Sequence, residues 1–190
     1  MINERIIKRE KQEGAKMKKL EDYVVTIPNF PEEGVMFRDV TSILESADGL
    51  KLSIHELMLR LKDVEFDTIA GAESRGFIFG MPLAYNKGKN FIPVRKAGKL
   101  PRETVKAEYE LEYGTAAIEI HKDSIMPGQR VVFVDDLLAT GGTAEAAIKL
   151  IESLGGVVVK VLFLMELKGL NGRDKLKGYD VDCVISYDGK

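Results

Sequence analysis

Val131 to Val134 form an unbroken apolar run that leads into two aspartates, a short loop with a glycine pair, and then Ala146, Ala147, Leu150, Ile151 and Leu154 at helical spacing. The run fits a strand buried on both faces, and the stripe after it predicts an amphipathic helix over 143–154. Gly155-Gly156 ends that helix as a glycine cap. The same rhythm covers most of the chain. TIAGA (68–72) and NFIPV (90–94) read as strands around a helix, GFIFGMPLAYN (76–86), and VVVKVLFLM (157–165) and VDCVISY (181–187) read as the last two strands. Upstream, Leu50, Ile54, Leu57, Met58 and Leu61 make one apolar face of a helix that Asp48 can cap. Leu20, Tyr23, Val24 and Ile27 also recur at helical spacing, which predicts a first helix from Met17 that Pro28 stops. Between Gly98 and Gly128 the period changes: ETVKAEYELEYGTAAIEIH alternates roughly around Gly114, as an exposed hairpin does.

Strand, helix, strand, helix predicts an α/β fold with a mostly parallel central sheet flanked by helices. In such sheets ligands sit beyond the carboxyl ends of the strands. Residues just after Ala72, Val94, Val134 and Met165 should therefore converge. Residues 17–190 read as a single domain. Residues 1–16, MINERIIKREKQEGAK, carry five basic and three acidic groups and few apolar ones, so they are expected to be an extension outside the core.

Charge and composition narrow the partners. Twenty-eight basic against 30 acidic residues leave a formal charge of −2, which supplies no bulk field for nucleic acid or an anionic membrane. Any anion must be held locally. One cysteine, Cys183, excludes an internal disulfide, and two histidines, His55 and His121, argue against a His-based zinc site. No apolar run approaches the roughly 18 residues of a membrane span, and no signal-peptide pattern is visible, so the expected location is the cytoplasm.

Local anion binding has an obvious candidate. Asp135 and Asp136 stand at the end of the most apolar strand, and the loop Ala139-Thr140-Gly141-Gly142-Thr143 stands where the next helix begins. Free amides and the positive end of the helix dipole favour phosphate at such a terminus. Gly141 and Gly142 allow close approach, and the Thr140 and Thr143 hydroxyls can donate. Neither G-x-x-x-x-G-K-[ST] nor G-x-G-x-x-G occurs, so neither of those nucleotide motifs applies. Adjacent carboxylates can accept from vicinal hydroxyls or hold a hydrated magnesium ion. A ligand with a phosphate at one end and a diol at the other would satisfy both parts.

VVFVDDLLATGGTA (131–144) resembles the phosphoribosyl-pyrophosphate motif of the type I phosphoribosyltransferases. FPEEGVMFRD (30–39), GAESRGFIFG (71–80), PVRKAGKLP (93–101) and YELEYG (109–114) resemble, in the same order, segments of the adenine-using branch of that family. The resemblance implies a parallel-sheet domain with a small N-terminal hood and a mobile hairpin lid. It also implies transfer of the 5-phosphoribosyl group from phosphoribosyl pyrophosphate to N9 of adenine, giving AMP and pyrophosphate. By the same resemblance, residues 139–143 hold the 5′-phosphate and Asp135 and Asp136 the ribose hydroxyls. Glu73-Ser74-Arg75 matches the pyrophosphate loop, in which a non-proline cis peptide turns amides toward phosphate oxygens, and Arg75, Arg95 and Lys99 neutralise the leaving group. The Met36 backbone reads the base edge, with Phe37 and Arg38 beside it, Leu167 covers a purine face, and Glu112 in the lid serves as acid or base. Mg²⁺ enters mainly bound to the sugar diphosphate, with no dedicated protein metal site, and a homodimer is implied. Two alternatives stay open: a phosphoribosyltransferase for hypoxanthine, guanine or xanthine, and a non-catalytic regulator that senses phosphoribosyl pyrophosphate.

Overall fold

The most apolar strand lies at the centre of the molecule because it has apolar neighbours on both sides. In the structure, a computed structural model, β7 (Arg130–Leu138) pairs in parallel with β3 (Thr68–Ala72) and with β8 (Val157–Leu167). Successive β7 residues alternate between two cores. Val131 and Phe133 pack with α3 (Gly142–Ser153), while Val132 and Val134 pack with α1 (Ala47–Arg60) and α2 (Arg75–Lys87). Each such buried side chain contributes about 1.5–3 kcal/mol, so the strand that ends in the aspartates is strongly held. The structure describes residues 18–110 and 115–189. The extension 1–16, Glu112 and Gly114 lie outside the described residues.

The seven-stranded sheet has the order β5-β6-β4-β3-β7-β8-β9, with β4 at Asn90–Lys96, β5 at Thr104–Glu110, β6 at Thr115–His121 and β9 at Val181–Tyr187. Strands β4, β3, β7, β8 and β9 are parallel, and the β5–β6 hairpin joins β4 antiparallel at one edge. This is the expected mostly parallel α/β sheet with helices on both faces. No described helix is long and apolar enough to cross a membrane.

The helix expected between Met17 and Pro28 does not form. Leu20–Tyr23 makes only a 3-10 turn, and β1 (Val25–Pro28) follows, antiparallel to β2 (Met36–Asp39). Val24, Val25, Thr26 and Ile27 are all β-branched, which favours a pleated strand once a partner is present. Leu20, Tyr23 and Val24 do meet the core, so their spacing reported burial but not conformation. The β1–β2 ribbon stands apart from the main sheet as a small hood. Helix α1 is likewise capped by Ser46, which accepts from the Gly49 amide at 3.3 Å, and not by Asp48. Its fully buried residues are Gly49, Ser53 and Leu57, while Leu50, Ile54 and Met58 are half-buried.

Candidate active site

The glycine loop joins β7 to α3 across a tight approach of two backbones. Gly141, the N-cap of α3, has φ +79°, a left-handed conformation that glycine adopts without a Cβ penalty. Among the described residues no side chain caps this terminus, so the first amides of α3 are available to an anion. A Cβ on Gly141 would collide with the Gly172 carbonyl, and one on Gly172 with the Ala139 carbonyl. Gly172 thus buttresses the loop from a distant segment, and its part in the site was missed from sequence. The Asn171-Gly172 dipeptide, a turn signal, was the available clue. Gly141 and Gly142 are buried, Ala139 and Thr143 half-buried and Thr140 exposed.

Strand β7 extends through both aspartates. Asp135 is half-buried and accepts from the Asp136 amide at 2.8 Å. Its carboxylate lies against the first turn of α2, where a Cβ on Gly76 would come within 3.0 Å of Oδ1. Burial, and then the adjoining Asp136 charge, push the Asp135 carboxyl well above the usual carboxylate range. Asp136 is buried and its carboxylate accepts from Arg75 Nε. Arg75, expected to face the leaving group, therefore also engages one of the two sugar-binding candidates.

Register brings the Glu73-Ser74-Arg75 loop alongside. Ala72 pairs with Val94, and Gly71 with Val134, so Glu73, Arg95 and Asp135 emerge together at the carboxyl end of three neighbouring strands. The Glu73-Ser74 peptide is cis, as the resemblance implied. Ser74 is exposed at the start of α2. Glu73 accepts from Arg95 Nε at 3.1 Å and from the Lys96 amide at 3.1 Å. The Arg95 hydrogen bond, outweighing burial, holds the Glu73 carboxyl below its usual range. Arg95 Nη1 also donates to the Lys99 carbonyl at 3.1 Å, while the Lys99 side chain is exposed.

Across the sheet edge the hood meets β9. Met36, Phe37 and Arg38 lie on β2, with Met36 exposed and Phe37 half-buried in an edge-on contact with Phe30 at 5.1 Å. Arg38 donates to the Thr26 hydroxyl, and its guanidinium stacks 4.3 Å over the Tyr187 ring. Tyr187 is the register partner of Leu167. Tyr187 thus links the hood segment to the residue expected to cover the base, and sequence gave no pointer to it. Glu112 lies outside the described residues.

Residues 40–188 match the family model described as "Phosphoribosyl transferase domain". An adenine phosphoribosyltransferase of Agathobacter rectalis is 67% identical over 174 residues, covering 92% of this chain and 100% of that protein. The crystal structure of adenine phosphoribosyltransferase from Thermoanaerobacter pseudethanolicus superposes with a TM-score of 0.84 at 53% identity, covering 89% of this chain and 100% of that one. The enzyme from Saccharomyces cerevisiae, solved with an imino-altritol bisphosphate and adenine, gives 0.82 at 44% identity, covering 87% of this chain and 96% of that one. With a domain match of that extent and relatives so similar over nearly their whole length, this chain belongs to the phosphoribosyl transferase family.

Proposed function

We propose that the chain is an adenine phosphoribosyltransferase, which forms AMP and pyrophosphate from adenine and phosphoribosyl pyrophosphate, as in purine salvage. The observation that carries this is the convergence of two anion-receptive elements at the carboxyl ends of adjacent strands, with an acidic pair between them. The α3 terminus follows Asp135 and Asp136 directly, and the Glu73–Arg75 loop with Arg95 flanks them through the β3 and β4 registers. One molecule with a phosphate, a diol and a diphosphate matches that order. The yeast relative was solved with a bisphosphate and adenine together, which supports this pairing of ligands.

In this reading residues 139–143 hold the 5′-phosphate and Asp135 and Asp136 orient the ribose hydroxyls. Arg75, Arg95 and Lys99 stabilise charge that develops on the departing pyrophosphate, an electrostatic contribution that grows toward the transition state. The Met36 backbone, a donor and an acceptor from one residue, reads the N1 and N6 edge of adenine, while Phe37, Arg38 and Leu167 frame the ring. Glu112 exchanges a proton with the purine nitrogens. The oxygen donors of Asp135 and Asp136 suit a hard hydrated cation. With Asp136 engaged by Arg75, the sugar diphosphate's own oxygens would carry most of the Mg²⁺ coordination. When bound, Mg²⁺ neutralises diphosphate charge.

A homodimer belongs to the same proposal. It is supported by Ile78, Met81 and Tyr85 on α2, which leave an apolar stripe 39%, 50% and 83% exposed. Met81→Lys should shift the protein toward monomer in analytical ultracentrifugation. The catalytic proposal is tested by supplying phosphoribosyl pyrophosphate, Mg²⁺ and an equimolar mixture of adenine, hypoxanthine, guanine and xanthine. Adenine should disappear first with stoichiometric AMP. Preferential loss of another purine would overturn the base assignment, and loss of none would favour a sensor.

A further inference from the structure

Glu119, on β6, is 1% exposed, yet among the described residues no arginine pairs with its charge. The other strongly buried acids, Asp136 and Glu166, are paired with Arg75 and Arg173. Glu119 instead collects backbone donors. Oε1 accepts from the amides of Lys99 at 2.9 Å and Leu100 at 3.0 Å, and Oε2 accepts from the Thr104 hydroxyl at 3.2 Å, with the Lys106 ammonium 3.7 Å away. A buried carboxylate is costly unless such donors surround it. Burial pushes its carboxyl upward, but the amides of Leu100, Gly98 and Lys99 prevail and hold it below the usual range.

These donors come from separate segments. Lys99 and Leu100 lie on the loop after β4, which is tied to β6 at its start by the Ala97 amide donating to the Ala117 carbonyl at 3.0 Å and then turns at Gly98 with φ +83°. Thr104 and Lys106 lie on β5, the other arm of the hairpin. Glu119 also stands opposite Arg95 in the β4–β6 register, and Arg95 donates to the Lys99 carbonyl. The two ends of the Lys99 residue are therefore gripped separately, its amide by Glu119 and its carbonyl by Arg95.

We propose that Glu119 is a positioning residue for phosphoribosyl transfer: its carboxylate fixes the backbone from which Lys99 reaches the leaving pyrophosphate and ties that loop to the base of the lid hairpin. This rests on the transfer reading above. Glu119 touches no substrate; it acts through Lys99. A misplacement of a charged group by about 1 Å can cost roughly 10²-fold in rate, so a side chain that sets one backbone position has a kinetic signature distinct from a general loss of fold.

The test is a cycle of wild type, Glu119→Ala, Lys99→Ala and the double variant, with kcat and the KM of each substrate measured. Glu119→Ala should lose roughly 10²-fold in kcat with the adenine KM unchanged. In the Lys99→Ala background the same change should cost less than about 3-fold, the non-additivity expected of residues that act as a unit. Glu119→Gln, which keeps an acceptor for the two amides, should restore most of the rate. Equal losses in both backgrounds, or full activity in Glu119→Ala, would overturn the proposal. Should Glu119→Ala fail to fold, Glu119→Asp, which withdraws the carboxylate by one methylene, runs the same cycle. A wild type that forms no AMP would instead remove the transfer reading itself, before any variant is compared.

Discussion

Arg75, the first residue of α2, forms an ion pair with Asp136, which is buried on β7. The pair joins a residue assigned to the leaving group with one assigned to the sugar. It also makes the two interdependent, because removing the cation leaves a buried carboxylate without its charged partner. Arg75→Ala should therefore destabilise the fold by about 1–3 kcal/mol, the cost of an unsatisfied buried polar group. Adding Asp136→Asn should recover part of that loss. Thermal unfolding of the two singles and the double checks this, and strictly additive changes in Tm would contradict it.

Asp135 carries a different signature. Its folded pKa is raised, chiefly by burial and then by Asp136. The stability it contributes is then complete below the unfolded value, about 3.9, and lost as pH rises through the folded value. Above the unfolded value the penalty on its charged form weakens the fold, so Asp135→Asn should raise Tm near pH 7, and the gain should vanish in acid. Asparagine keeps an acceptor for the Asp136 amide. A lower Tm for this variant at neutral pH would refute the burial argument.

Glu73 runs the other way. Its pKa is lowered, mainly by Arg95, so its contribution is present above the unfolded value, about 4.3, and is lost as pH falls through the folded value. Glu73→Gln should lose stability relative to wild type at pH 7 and converge with it in acid. A gap independent of pH would mean that the Arg95 pair is not its source.

Gly172 packs closely against the 139–143 loop, the proposed 5′-phosphate site. Gly172→Ala forces a methyl against the Ala139 carbonyl and the Leu138 side chain, and overpacking of this kind typically costs about 1–3 kcal/mol. Binding of ribose 5-phosphate, followed by calorimetry, should weaken at least roughly 10-fold, equivalent to about 1.4 kcal/mol. Unchanged affinity would show that the loop does not hold the phosphate.

For Glu112→Gln the expected result is a kcat lower by roughly 10²-fold with AMP binding largely retained, the usual effect of removing a general acid or base. An unchanged rate and pH profile would end that role.

The parts legible in sequence were those whose signal is local. Val131 to Val134, the twin aspartates and the glycine pair are contiguous, and VDCVISY forms a strand with the expected bounds. The segment from Leu20 to Ile27 misled because its apolar spacing fits either period. Its β-branched composition decided for a strand only with β2 as partner. Gly172, Tyr187 and Glu119 were illegible for another reason: each acts on a segment remote in the chain, and one sequence carries no record of such pairing. The Arg75–Asp136 pair belongs to the same class, since both residues were identified but not their contact.

The central claim is that the sugar of phosphoribosyl pyrophosphate is held by Asp135 and Asp136 while the following amides hold its 5′-phosphate. Calorimetric titration of magnesium phosphoribosyl pyrophosphate into wild type and the folded Asp135→Asn/Asp136→Asn variant tests it most directly. The account predicts an affinity at least roughly 10²-fold weaker in the variant, about 2.8 kcal/mol. Equal affinity in the two proteins would contradict it.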